Sequence, residues 1–240
     1  LVARLFVFIR KSGAALSDHS CGYDSFVQSF CGAEGKKGAI DSHDLAELEK
    51  RRNDPAFAVA FAAVMPPRQL KSLLAGLRRA HAIQSTSLDR LARALSTLLG
   101  TASRAPSAAR ISTPYVHRLL ENLDDPETGF ALGQLLRYGC FADVFLRDLA
   151  FKVYDYERSQ PPASPYWRNL RPDSRPMCAI PLDERDPMAA VMAALSNHPR
   201  AAREFLTDER RDPLEYLLYE RFWPGSTETY LDQAIDIAGL

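Results

Sequence analysis

The chain lacks an excess of charge of either sign: thirty Lys and Arg side chains stand against thirty Asp and Glu, for a formal net charge of zero at pH 7. Proteins that live on the phosphate backbone usually carry a basic surplus, so this balance argues against nucleic acid as the partner. Long hydrophobic runs are also missing. The most continuous ones, Leu5-Phe6-Val7-Phe8-Ile9 and residues 56–65, fall well short of the roughly 20 residues that span a bilayer. The first has no small-residue cleavage site after it and is too short for the core of a secretion signal. With Leu1 at its head and no Met, the chain reads as an internal cut of a longer protein. The cytoplasm is the default compartment, and export would need a route without a signal peptide.

Cysteine is scarce, with four residues scattered through 240, which is no staple framework of the kind small secreted domains use. Lysine is scarce as well, 6 against 24 Arg; together with the many Ala residues this is the coding bias of a GC-rich genome. What remains is ordinary. Hydrophobic residues at 46% and charged residues at 25% belong to globular proteins, and a chain this long buries a core without covalent help.

Four Asp-Pro pairs, at Asp54, Asp125, Asp186 and Asp212, punctuate the chain. An Asp side chain at a helix N-cap accepts from an orphan amide of the first turn. Proline fits the next position because its missing N–H costs nothing there. Each pair therefore predicts a helix start. After Asp54, the residues Phe57, Ala60, Phe61 and Val64 share a helical face, and Pro66-Pro67 ends it. Leu70, Leu73, Leu74 and Leu77 line the next helix. Ser87 is the expected cap of a third, striped by Leu88, Leu91, Ala92, Leu95, Leu98 and Leu99 and closed by Gly100 as C-cap. Residues 101–110 read as a polar linker, and Thr113-Pro114 repeats the cap device. Leu132, Leu135 and Leu136 predict a short helix closed by Tyr138-Gly139. Phe141, Val144, Phe145, Leu149 and Val153 predict another, with residues 154–159 as its exposed end. Met188, Val191, Met192 and Leu195 form one face before Asn197-His198-Pro199 breaks it, and Ala202, Phe205 and Leu206 continue. A last piece, residues 212–223, carries Leu214, Leu217 and Leu218.

The expected fold is all-α: an irregular bundle of short helices started by Asp-Pro caps, with one Pro-rich connection. Its expected organisation is a loop-rich stretch over 1–40, a helical subdomain over 41–159, the connection over 160–181 and a second helical subdomain over 182–240. The connection holds Pro161, Pro162, Pro165, Pro172 and Pro176, which favour extended or turn geometry; Trp167 is the expected anchor to the core. Residues 54–77 and 186–206 share one plan, but two copies are too few for a solenoid.

Reactive side chains concentrate near the start. His19, Cys21, Cys31 and His43 have the residue types of a zinc set, but their gaps of one, nine and eleven residues are not the close pairs that structural zinc sites use. Cys21 or Cys31 with His43 and Asp41 has the types of a thiol nucleophile, base and orienting acid, without a family-specific signature. Gly35-Lys36-Lys37-Gly38 lacks the order of a phosphate-binding loop, with Gly38 where Ser or Thr belongs. Cys140 and Cys178 read as core or loop packing. Arg51-Arg52, Arg78-Arg79 and Arg210-Arg211 sit near helix ends beside acidic neighbours and read as solvated faces.

Four blocks in order carry a resemblance: NDPAFAVAFAAVMPPRQLKSLL, FALGQLLRYGCFADVFLRDLAFKVYDYER, RDPMAAVMAALSNHPRAAREFL and DPLEYLLYERFWP. They resemble successive blocks of a large actinobacterial family of helical proteins without assigned function, found in genomes rich in WXG-type, type VII-like secretion genes and polymorphic toxins. The resemblance runs from about Asp41 to Gly239 and implies no catalytic residue. The sequence thus assigns no catalytic, cofactor-binding or metal-ligating residue and implies no cofactor. Its leading reading is a non-enzymatic scaffold or interaction module with a protein partner and an open oligomeric state. The alternative is a hydrolase or zinc enzyme built on His19, Cys21, Cys31 and His43.

Overall fold

A computed structural model describes residues 42–80, 85–106, 110–111, 113–171, 180–182, 184–224 and 227–240. Among them are twelve α-helices and no strand, the all-α class that the caps and periodicity predict. In chain order they are α1 (Ser42–Arg51), α2 (Pro55–Val64), α3 (Pro67–Ala80), α4 (Ser85–Ser103), α5 (Thr113–Leu119), α6 (Pro126–Leu136), α7 (Asp143–Ser159), α8 (Pro165–Leu170), α9 (Pro187–Leu195), α10 (Pro199–Leu206), α11 (Pro213–Glu215), which runs into a π-helical turn at Tyr216–Glu220, and α12 (Glu228–Ala238).

Seven of the twelve begin at a proline, the one place in a helix where the imino acid removes no hydrogen bond. Three of the four Asp-Pro pairs cap as their chemistry demands. Asp54 Oδ1 accepts from the amides of Ala56 and Phe57 at 3.0 and 3.2 Å, Asp125 Oδ1 from Glu127 at 3.0 Å, and Asp186 Oδ1 from Met188 and Ala189 at 2.9 and 3.2 Å. Asp212 is the exception: it is left-handed, with φ 49° and ψ 56°, and its side chain makes no cap bond.

The leucine stripes of α3 and α4 and the Met-rich face of α9 are buried in one continuous apolar cluster that reaches from Leu45 to Ala238. α4 lies against α1, α2, α3 and α6; α6 in turn meets α9, which packs on α7 and α12, and α10 closes on α7 and α12. The α2 face is rotated from the expected one: Ala58 and Ala62 join Phe57 and Phe61 inside, while Ala60 is exposed. Val144 also faces out.

Two expected termini move. α4 starts at Ser85, which places Ser87 in its first turn and not at its cap. Gly100 is no C-cap either, because α4 continues to Ser103. Its reason is proximity: a Cβ at residue 100 would stand 2.6 Å from the Cys140 carbonyl oxygen. That approach lets the loop before α7 dock on α4, where Ser96 Oγ accepts from the Tyr138 amide and Ser103 Oγ from the Ala142 amide, both at 3.0 Å. Cys140 is therefore held by its backbone, and its side chain is exposed and free, not part of the core.

Within the Pro-rich connection the chain makes a helix where extended or turn geometry is expected. Ser164 caps α8, accepting from the Trp167 amide at 3.4 Å, and Pro165 takes the first position. The anchor of this segment is Tyr166, fully buried. Trp167 is half-buried beside it, with ring centroids 5.0 Å apart, and its indole N–H donates to the Gln160 carbonyl at 3.3 Å.

Candidate functional site

The end of α7 is not exposed as the sequence suggests. Tyr154 and Glu157 are buried, and Glu157 is the centre of the most concentrated polar cluster among the described residues. Three side chains converge on its carboxylate. From the C-terminal segment, Arg221 donates through Nε to Oε2 at 3.0 Å and through Nη2 to Oε1 at 2.8 Å, the two-pronged geometry that a planar guanidinium allows. From α8, the Tyr166 hydroxyl donates to Oε1. From the π turn, the Tyr216 hydroxyl donates to Oε2 at 3.2 Å. Arg221 Nη2 also donates to Asp186 Oδ1 at 2.7 Å, so the oxygen that caps α9 is simultaneously half of an ion pair. The side chains of Arg221, Glu157 and Asp186 are all 0% exposed in these pairs, and the guanidinium stacks on Trp223, 4.1 Å from its ring centroid.

The π turn has a geometric cause in this convergence. In an α-helix, residues five apart point about 140° away from each other, so Tyr216 and Arg221 could not meet on one carboxylate. The wider turn, closed by the Arg221 amide donating to the Tyr216 carbonyl at 2.9 Å, brings both to the same side. Such single-turn insertions recur at functional sites.

The cluster's electrostatics follow from its burial. Burial alone would lower the Arg221 pKa, and Asp186 and Glu157 outweigh it, holding the guanidinium well above its ordinary range. Burial, reinforced by the Glu157 charge, pushes the Tyr166 and Tyr216 phenols up, so both remain protonated donors. Two carboxylates share one guanidinium, and Asp186 Oδ2 carries no hydrogen bond. Breaking such a buried pair from one side is strongly destabilising.

Beside the cluster opens a groove of about 260 Å³. Trp167, Pro162 and Arg158 line it from the body and Tyr216, Phe222 and Glu220 from the C-terminal segment, and Glu157 also belongs to its lining. Arg158 and Glu220 pair across it at 2.5 Å, and Arg158 stacks on the Tyr216 ring at 4.9 Å. No His or Cys lines it. Its lining mixes the rings of Trp167, Tyr216 and Phe222 with the charged side chains Glu157, Arg158, Arg171 and Glu220, and the Glu157 oxygens are already engaged by internal donors.

Of the residues singled out from the sequence, His19, Cys21, Cys31, Asp41 and Cys178 lie outside the described residues, as does residues 35–38; His43 falls in α1, its side chain outside them. Among the described residues no group of three or more His, Cys, Asp or Glu is placed to hold a metal ion. No helix there is long and apolar enough to cross a membrane. The paired arginines are more than solvated faces. Arg51 stacks on Phe57, Arg78 on Phe130 and Arg211 on Phe151, while Arg78 reaches Glu184 at 2.7 Å and Arg211 reaches Asp155 at 3.0 Å. Guanidinium planes suit that double role and ammonium groups do not. Lys71 is the buried exception: its Nζ donates to the Glu121 carbonyl at 2.6 Å, and burial lowers its pKa to about 8.

The sequence held one overlooked signal for this site. Leu146, Leu149, Ala150 and Val153 form a buried stripe on α7, and Glu157 falls next on it; a carboxylate at a core position implies a buried partner. Arg221, far along the chain, could not be named from spacing. Comparison with known proteins adds no relative: no family model, no curated protein and no solved structure matches this chain.

Proposed function

We propose that the chain is a non-enzymatic helical scaffold and protein-interaction module, part of a larger actinobacterial protein associated with secretion or with an effector. The observation that carries the interaction reading is the surface of the C-terminal segment. Within five residues Leu218, Tyr219 and Phe222 are 45%, 81% and 46% exposed, beside an aromatic groove on a well-packed bundle. Apolar side chains gathered in this way mark contact surfaces. The larger context rests on the sequence resemblance alone.

The test is co-purification from the native host with the wild-type chain and with the double variant Leu218→Asp, Tyr219→Asp as baits. A partner retained by the wild type and lost by the variant, at equal thermal stability, is the expected result. Identical sets of retained proteins would reject this surface. Recovery of the intact parent protein in culture medium, without lysis markers, would support the secretion link, and strict retention in the cytosol would end it.

A further inference from the structure

The segment 212–224 joins the body in an unusual way. It opens at Asp212, a non-glycine residue held left-handed, where the β-carbon crowds the following carbonyl and favours any alternative. It continues through the π turn, whose main helical neighbour is α11, its own predecessor. Leu218, Tyr219 and Glu220 point to solvent. Trp223 donates its indole N–H to the Leu217 carbonyl at 2.9 Å, a bond within the segment and not to the body. Its outward face thus adds no packing, while Tyr216 and Leu217 on its inward face are buried in the core; a segment held by a few side chains opens separately from the core around it.

Against this stands an attachment concentrated in its inward side chains, of which Tyr216, Leu217 and Arg221 are buried. The polar bonds from 212–224 to the buried body run through Arg221 and Tyr216 to Glu157 and Asp186; the Arg158–Glu220 pair lies at the surface, with side chains 43% and 53% exposed. The same segment supplies Tyr216, Glu220 and Phe222 to the lining of the groove, while Trp167, Pro162 and Arg158 belong to the body. We infer that residues 212–224 form a strap that opens and closes at one side of the groove as a unit, with buried Arg221 as its latch and the left-handed Asp212 biasing it toward opening. The strap sets how wide the groove is, whatever the groove receives.

The two tryptophans of the chain, Trp167 and Trp223, stand on the two sides of this boundary. In the full chain carrying Trp167→Phe, emission reports Trp223 alone, and urea unfolding followed by that emission is compared with helix loss by circular dichroism. Trp223 emission is expected to move to longer wavelength at a lower urea concentration than helix loss, because separate transitions mark separately opening units. Arg221→Lys, which cannot reproduce the two-pronged contact, is expected to lower the first midpoint and leave the second in place. Asp212→Gly removes the left-handed penalty and is expected to raise the first midpoint. Coincident transitions in the parent chain would overturn the strap. If Arg221→Lys does not fold, Asp212→Gly decides alone: an unmoved or lowered first midpoint, or an equal shift of both, overturns it.

Discussion

Asp186-Pro187 and Asp212-Pro213 are the same dipeptide before the same kind of helix, and they end in opposite states. Asp186 is extended, with φ −83° and ψ 111°. It caps two amides and takes the Arg221 guanidinium on the same oxygen. Asp212 is left-handed and caps nothing. The difference lies in what precedes each. Asp186 follows a segment laid against α6, where Gly129 leaves room for the Arg185 carbonyl; a Cβ there would occupy the carbonyl's place. Asp212 ends a tight reversal after α10, already closed by its own amide donating to the Asp208 carbonyl at 2.9 Å and by the Arg211 amide reaching Asp208 Oδ1 at 3.0 Å. The turn fixes the backbone before the cap can form. The exposed Asp212 carboxylate is left beside Glu215 and raises its pKa. Asp-Pro therefore marks where a helix begins, while the preceding turn decides whether the aspartate caps it.

The two regions also divide arginine chemistry, which gives the largest predicted contrast. Arg221→Met leaves Glu157 and Asp186 buried without their cation, and should cost about 3–5 kcal/mol in the urea transition that Trp223 reports. Arg211→Met removes an ion pair to Asp155 whose partners are 39% and 52% exposed, and should cost no more than about 1 kcal/mol apart from lost ring contact. Equal costs would mean that the buried cluster is not the stronger tie.

Much of the fold was legible for reasons that operate within a few residues. Capping and proline placement act through neighbours, so helix starts at Pro55, Pro126 and Pro187 follow from the chain itself, as do the stripes of α3, α4 and α9. The candidate site was mostly hidden because its causes are distant in sequence. The Glu157–Arg221 pair spans 64 residues, and Gly100 reads as a helix end until Cys140 is seen pressed against it. α12 passed unread although Leu231, Ala234 and Ala238 mark its inner face. It lacks an Asp-Pro start, and the Thr227 hydroxyl at its cap donates to the Pro224 carbonyl at 2.7 Å and accepts from no first-turn amide, so the device that announced α2, α6 and α9 was missing.

A smaller contrast separates two working caps. Asp54→Ala removes a part-exposed cap and should cost about 0.5–2 kcal/mol, the usual range for this change. Asp186→Ala removes the same two bonds and one partner of Arg221, so its cost should exceed that of Asp54→Ala measured under the same conditions. Equal values would show that Glu157 alone satisfies the guanidinium. The ion pair at Asp186 would then be geometric company, and the cap its only contribution.

The smallest predicted effect tests the contact between α7 and α10 and depends on pH. His198 precedes Pro199 of α10 and is largely buried; its Nε2 accepts from the Phe141 amide at 3.4 Å, which requires a neutral ring, and its Nδ1 faces Asp143 Oδ1 at 3.6 Å. Burial lowers its pKa below the ordinary 6.5, Asp143 opposes that shift, and Arg104 adds to it. A depressed imidazole pKa means that the unfolded chain binds the proton first as pH falls. Stability is therefore unaffected by His198 above about pH 6.5, declines as pH drops through that value, and levels off below the folded pKa. Lys71, lowered to about 8, begins to lose its proton at the upper end of this window and adds the same slope to both proteins, so it cancels in the comparison. The Glu49 and Glu204 carboxyls are shifted down from 4.5 and titrate below it. Urea midpoints between pH 7.5 and 5.5 should therefore fall more steeply for the wild type than for His198→Gln, whose side-chain carbonyl can accept the Phe141 amide without titrating. Equal slopes would mean that acid acts through other groups and that His198 is only a packed link between α7 and α10.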